Sequence, residues 1–186
     1  MQTFEKVFPG MLNESTEFFN SETGVKFIQN GNVKSFCDLP FTTIEMLKEA
    51  ISAEPLTKSI LNDWFPNQKM KQLEKFISCR FGGLDFVADI ENGNLQNGEY
   101  WKCPLSGNCK AEGIVCNSPI IDGKSYTTAE IKIIQLSTTE MTNDSIAASL
   151  AMPLGSFHKI KQIVYEKIGA LTKQSVTQFA YQHNLI

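Results

Sequence analysis

The 3.6-residue spacing of apolar side chains that marks amphipathic helices stops at Gly82 and returns only after Gly123. Seven of the chain's twelve glycines fall within this interval. Because glycine disfavours helices and contributes no side chain to a core, such a segment needs other interactions to stay ordered. It separates the chain into two predicted domains, residues 1–122 and residues 123–186.

The composition limits the number of domains and the kinds of protein that the chain can form. The chain has 186 residues, of which 42% are hydrophobic and 20% charged, so one ordinary domain or two small ones can bury a core. It contains no apolar run of about eighteen residues, and its first residues, "MQTFEKVFPGML", lack the pattern of a signal peptide. We therefore predict a soluble cytoplasmic protein that has no membrane partner. In that reducing compartment, five cysteines indicate thiols or metal ligands rather than disulfides.

The region before Gly82 mixes strand and helix signals. In "VKFIQNGNVKSF", Asn30 and Gly31 stand between two β-prone runs, which predicts a hairpin. Three helical patterns follow, with Thr42 or Thr43 as the cap of the first; they are "FTTIEMLKEAIS", "PLTKSILNDWF" and "NQKMKQLEKFISCRF". Residues 1–122 are thus predicted to form an α+β domain.

Three cysteines in "WKCPLSGNCKAEGIVC" follow the spacing C-x5-C-x6-C, and a fourth precedes the segment. Four thiolates from a glycine-rich loop can hold one tetrahedral Zn²⁺, which would stabilise residues 79–116. An iron–sulfur cluster also accepts four cysteines, and separate buried or redox-active thiols are a further alternative. We predict a structural zinc site whose ligands are Cys79, Cys103, Cys109 and Cys116. Cys37 is expected in the core.

Other chemistry-bearing residues give weaker signals. A small acidic group near Cys79 can either bind a cation or stay solvated; it consists of Asp85, Asp89 and Glu91. The "GKS" at residues 123–125 lacks the first glycine of a phosphate-binding loop, because Ser118 stands at that position. The two histidines, His158 and His183, lie in the C-terminal region, so a Cys-His pair would have to form across domains. We expect that the protein is not an enzyme.

Helical spacing dominates the C-terminal domain. A threonine cap precedes Glu130 in "YTTAEIKIIQLS", and "TNDSIAASLAM" forms a short second pattern before "PLGS" breaks it. The third pattern buries Phe157, Ile160, Val164 and Ile168 and ends at Gly169, and "TKQSVTQFAYQHNLI" supplies a fourth. Residues 123–186 are thus predicted to form an all-α, four-helix domain. A short helix, a turn and a longer helix are typical of a DNA-reading helix-turn-helix and also of a simple bundle.

The motifs "TTAE", "TNDSIAASL" and "GSFHKIKQIVYEKIGA" carry a family resemblance. Together they resemble the DNA-binding domain of LuxR-type transcription regulators, ungapped from about Thr127 to Ala180. The sequence departs from the family pattern where the family usually has glycine, serine, valine and histidine; those positions are here Glu140, Pro153, Phe157 and Ile160.

The resemblance implies a transcription regulator that binds double-stranded DNA, with a dimer on two half-sites. The family's recognition helix corresponds here to a segment whose exposed residues are Ser156, His158, Lys159, Lys161, Gln162 and Lys167. Of these, His158, Lys159 and Gln162 would face base edges, while Lys161 and Lys167 suit phosphates. The N-terminal domain would sense a signal or contact another protein. The alternative function is a metal-stabilised interaction or assembly module.

Overall fold

A computed structural model describes residues 7–101, 103–106, 108–116, 118, 120–183 and 185–186. The chain divides into two compact units, Met1–Asn117 and Ser118–Ile186. Helices and small antiparallel sheets both occur, so the predicted mixed α+β class is confirmed. Within the described ranges, no helix has both the length and the apolar character that spanning a membrane would require.

Three antiparallel strands open the first unit: β1 (Glu17–Ser21), β2 (Gly24–Gln29) and β3 (Asn32–Ser35), in the order β1-β2-β3. The hairpin predicted at Asn30 and Gly31 is confirmed. Both residues have positive φ, 51° and 73°, as a tight two-residue turn between twisted strands requires. Strand β1 was not predicted.

Three helices follow the sheet, and α3 contacts β1 and β2; they are α1 (Phe41–Ala53), α2 (Pro55–Trp64) and α3 (Lys69–Arg80). All three were predicted, but the threonine cap was wrong, because Pro40 stands at the N-cap and α1 begins at Phe41. The helices and sheet share one apolar core, whose fully buried members include Phe18, Phe27, Leu47, Leu61, Phe76 and Ile77.

The prediction that Cys37 lies in the core is wrong. Residues Phe36–Asp38 form a short 3-10 helix between β3 and α1, in which Cys37 is exposed. Phe36 and Leu39 are buried instead. In a three-residue turn, side chains at i and i+3 share a face, so the residue after Phe36 points away from it.

The glycine-rich segment contains little regular structure. Its short hairpin consists of β4 (Ile90–Glu91) and β5 (Asn94–Leu95). Two small apolar side chains, Ala111 and Val115, join the core of the first unit. Ile90 of β4 joins the same core, and polar contacts add further order to the segment.

Arg80 provides several of those contacts. Its guanidinium forms an ion pair with both carboxylate oxygens of Glu54, at 2.5 and 2.9 Å, and its Nε donates to the carbonyl of Val115 at 3.0 Å. It also donates to the carbonyl of Ile114 at 3.2 Å, and Thr57 Oγ1 donates to the same carbonyl. Arg80 is only 4% exposed. One planar, five-donor side chain thus fixes the end of the loop to two helices.

The second unit begins with a small hairpin, β6 (Ile120–Ile121) and β7 (Lys124–Ser125). The predicted all-α domain therefore also contains a short pair of strands. Four helices follow: α4 (Thr128–Ser137), α5 (Asn143–Ser149), α6 (Leu154–Ile168) and α7 (Lys173–Gln182). Helix α4 contacts each of the other three.

The ends of these helices carry the predicted caps. Thr127 Oγ1 accepts from the backbone N–H of Glu130 at 3.2 Å, and the Glu130 carboxylate accepts from the Thr127 N–H at 2.7 Å. This reciprocal capping box satisfies two otherwise unpaired donors. Gly169 ends α6 with φ of 70°, a left-handed conformation that glycine adopts without a Cβ clash. Both were predicted.

Candidate nucleic-acid interface and metal sites

Helix α6 is fixed in the second unit by one apolar face. Phe157 and Val164 on this face are both 0% exposed. Phe157 belongs to a core cluster with Ile133 of α4 and with Ile146 and Ala147 of α5. The turn before α6 is closed by a hydrogen bond from the Met152 N–H to the Ala147 carbonyl, at 2.9 Å. The short helix, turn and longer helix therefore form one packed structure.

The opposite face of α6 is polar and accessible. Its exposed residues include four of the predicted DNA contacts, which are Ser156, His158, Lys159 and Gln162. In the described part of the chain, the Lys159 ammonium has no hydrogen bond or ion pair. Gln162 Nε2 donates to Glu166 Oε1 at 2.9 Å, one turn further along. The face thus offers one free cation, an imidazole and an amide, with one carboxylate beside them.

The two lysines that were expected at phosphates are already in contact with protein groups. Lys167 Nζ donates to Glu130 Oε1 and to the Ser125 carbonyl, both at 2.7 Å, and lies 4.7 Å from the Tyr126 ring centre. Lys161 Nζ donates to Asn143 Oδ1 at 2.9 Å. Lys167 therefore has a structural role in this unit, whereas Lys161 retains donors for a further acceptor.

The Glu130–Lys167 pair was not recognised as such from the sequence. Glu130 is 6% exposed. Burial alone would raise its pKa, but the hydrogen bonds from Lys167 and from Thr127 lower the pKa below 4.5. The carboxylate therefore stays ionised and connects the start of α4 to the end of α6.

The four predicted zinc ligands lie in one part of the first unit. Cys79 stands in the last turn of α3, and the other three, Cys103, Cys109 and Cys116, follow in the loop. All four are partly buried. Burial raises the pKa of Cys79 to about 11, Lys75 opposes this, and the nearby thiols of the other three cysteines raise it further. Cys79 and Cys109 both pack against the core of the first unit.

The thiols do not form a compact tetrahedron. Four sulfurs bound to one Zn²⁺ at about 2.3 Å lie about 3.8 Å from one another. Within the described residues, no three cysteine sulfurs lie within 4.8 Å of one another. The thiolate chemistry fits zinc, and the loop would have to draw together by an ångström or more to complete the site.

A different group of ligands is compact. Carboxylate oxygens of Glu17, Asp85 and Glu99 all lie within 4.8 Å of one another, in the only group of three or more potential ligands found among the described residues. The acidic group predicted from the sequence was Asp85, Asp89 and Glu91. Asp89 borders the cluster, but Glu91 is exposed on β4.

Backbone donors hold these carboxyl groups in place. Glu17 Oε1 accepts from the Asp85 N–H at 2.8 Å, and Glu99 Oε1 accepts from the Gly83 N–H at 2.5 Å. Asp89 Oδ2 accepts from the Phe18 N–H at 2.7 Å. Glu17 is 0% exposed, and its second oxygen, Oε2, is buried and has no hydrogen-bond partner in the part of the chain that the structure describes.

The electrostatics of the cluster are unfavourable for three negative charges. Burial, and then the charges of Asp85 and Glu99, raise the pKa of Glu17 to about 9, against one opposing hydrogen bond from the Asp85 N–H. Burial and Asp85 raise the pKa of Glu99 to about 8. Burial, Glu17 and Glu99 raise the pKa of Asp89. The carboxyl groups need either protons or a positive counter-charge.

Comparison of the chain with protein-family models, with curated proteins and with solved structures finds no match in any of the three.

Proposed function

We propose that the protein is a DNA-binding transcription regulator in which α6 enters the major groove. The N-terminal unit, stabilised by zinc at the four cysteines, would sense a signal or contact another protein. The observation that carries the proposal is the division of α6 into a buried apolar face and an accessible polar face. That division matches a recognition helix, which needs a rigid support on one side and hydrogen-bonding side chains on the other.

The chemistry of the exposed face supports base reading. Lysine donates to guanine O6 and N7, and a glutamine amide can bond adenine in two places. Lys159 and Gln162 are three positions apart, so they lie on adjacent turns of one face. Gln162 must leave Glu166 to bond a base. The LuxR-type resemblance assigns the same residues to base edges.

Lys161 and Lys167 stay the predicted phosphate contacts. The ammonium of Lys161 has donors beyond the one to Asn143, and that of Lys167 has one beyond those to Glu130 and Ser125. Because Lys167 also bonds Glu130 and Ser125, replacing it should destabilise the end of α6 as well as remove a phosphate contact. Two copies on half-sites about one helical turn apart would add the specificity that one helix lacks.

Selection of bound sequences from random duplex DNA tests the proposal. The wild-type protein should enrich a preferred sequence at low salt. The Lys159→Ala and Gln162→Ala variants should each lose discrimination worth about 1–3 kcal/mol per base contact. Lys58→Ala is the matched control, because it removes an exposed helical lysine from the other unit. Absence of any preference in the wild-type protein would contradict the proposal.

A zinc site is supported by the neighbouring thiols and by the scarcity of other order in the loop. Elemental analysis should find about one zinc per chain, and serine at any of the four positions should abolish it. Cys37→Ser is the matched control, since Cys37 is exposed in a separate turn. Iron in place of zinc would favour a redox-sensing cluster, and absence of metal would leave the thiols separate.

An interaction module is the second candidate, and one observation favours it. Two apolar side chains of α6 are accessible, Leu154 at 40% and Ile163 at 52% exposed. Exposed apolar groups on a helix are typical of contacts with protein. If Ile163→Ala abolishes binding to a protein partner and the wild-type protein does not bind DNA, the interaction module is favoured over the DNA-binding regulator.

A further inference from the structure

We propose that Glu17, Asp85 and Glu99 form a binding site for a hard divalent cation of the Ca²⁺ or Mg²⁺ type, separate from the cysteines. The three side chains come from β1 and from two distant parts of the loop. A cation there would connect the glycine-rich segment to the sheet. The proposal does not depend on DNA binding or on zinc.

The distances fit one ion. Two oxygens bound to the same Ca²⁺ at about 2.4 Å cannot be more than about 4.8 Å apart. All three carboxylates of the cluster meet that limit, and the four thiols do not. The spacing of the three carboxylates is therefore compatible with one shared ion.

An unsatisfied oxygen points to a missing ligand. Glu17 Oε2 is fully buried and has no hydrogen-bond partner among the described residues, and its carboxylate belongs to the compact group. A buried acceptor left unpaired is costly, so native structures rarely retain one. A proton between Glu99 and Asp85, whose carboxylate oxygens lie within 4.8 Å of each other, would satisfy that pair but would leave Glu17 Oε2 as it is.

The donor set selects the class of ion. The group contains carboxylates and neither thiol nor imidazole, a set that favours Ca²⁺, Mg²⁺ or Mn²⁺ over zinc. Asp89, itself 3% exposed, adds negative charge at the edge of the cluster. Positive charge would relieve the repulsion that, together with burial, raises the pKa of Glu17, Glu99 and Asp89.

Titration of Ca²⁺ into the full-length protein tests the site. The protein is used as purified, without prior removal of any bound metal. Ca²⁺ is the probe because thiolates do not bind it well, so the result is independent of the cysteines. Thermal unfolding and the fluorescence of Trp101, which lies two residues after Glu99, are the two measurements. A parallel titration uses MgCl₂.

Two isosteric variants and a control make the test specific. Glu17→Gln keeps an oxygen for the Asp85 N–H and should fold, but its cation affinity should fall at least about tenfold, since outer-shell changes alone cost about 10–100-fold. Glu99→Gln should behave in the same way. Glu91→Gln, an exposed change on β4, should respond like the wild-type protein.

The expected result is a rise of the unfolding midpoint with Ca²⁺ or Mg²⁺ in the wild-type protein and in Glu91→Gln only. Two results would overturn the proposal. One is no response of the wild-type protein to either ion, which would mean that protons neutralise the cluster. The other is an equal response in Glu17→Gln, which would place the ion elsewhere.

Discussion

Helices α4 to α7 are delimited mainly by residues next to them in the sequence, whereas the segment from Gly82 to Cys116 depends on partners that are distant in the sequence. The helices have threonine caps at three starts and an apolar stripe that contacts the next helix. The segment is held by Arg80, by Ile90 and two small apolar side chains in the core, and by carboxyl groups bonded to backbone N–H groups. Local signals and long-range polar contacts are therefore separate ways of ordering one chain.

Both tryptophans, Trp64 and Trp101, lie in the first unit. Their fluorescence reports the unfolding of that unit alone, whereas far-UV circular dichroism reports helices of both. Urea unfolding followed by the two signals therefore separates effects on the two regions.

The largest expected effect is on the helical unit. Phe157→Ala should destabilise it by about 3–5 kcal/mol, because it leaves a cavity between α4, α5 and α6. The circular-dichroism midpoint should fall while the tryptophan midpoint stays unchanged. Ile163→Ala on the exposed face of the same helix is the control and should change stability by at most about 0.5 kcal/mol. An equal fall in the tryptophan-fluorescence midpoint would show that the two units do not unfold independently.

Arg80→Met should have a somewhat smaller effect, on the first unit only. It removes the donor to the Val115 carbonyl and the ion-pair partner of Glu54, which should cost about 3 kcal/mol, the low end for a broken buried pair because Glu54 is partly exposed. Arg80→Lys should not restore the loss, since one ammonium cannot reproduce the planar fork. A loss below about 1 kcal/mol would show that the loop is held by something else.

A smaller effect is expected on the pH dependence of the stability of the helical unit. The folded pKa of Glu130 lies below its ordinary value of 4.5, so its contribution to stability is complete above that value and is lost as the pH falls through the folded pKa. Glu130→Gln should lower the thermal midpoint near neutral pH and weaken this acid dependence. Glu140→Gln, an exposed change in the following loop, should leave the profile as it is. If the thermal midpoints of the wild-type and Glu130→Gln proteins depend on pH in the same way, the Glu130–Lys167 ion pair does not contribute to stability.

Prediction from the sequence succeeded where the signal was local. The turn at Asn30 and Gly31, the Thr127 cap and the Gly169 stop each depend on a few adjacent residues. It failed where the partner is distant. Glu17 and Asp85 are 68 residues apart, and nothing near either one marks it as part of a cluster.

Two further misses have the same physical origin. In the sequence, Arg80 is a single charged residue at the end of a predicted helix. The fold shows that it contacts Glu54, Ile114 and Val115, which are distant in the sequence. Cys37 stands among apolar residues, but the 3-10 turn directs Phe36 and Leu39 inward and leaves Cys37 outside. Side-chain direction in short turns is set by backbone geometry that composition does not reveal.

Hydrogen exchange before and after chelation tests the difference between the two regions most directly. The zinc proposal predicts that removal of metal from the full-length protein lowers the protection of residues 79–116, because binding free energy is also folding free energy there. Residues 127–183 should keep their protection, because their caps and apolar contacts are complete without metal. Equal loss in both regions, or no loss in residues 79–116, would contradict the account.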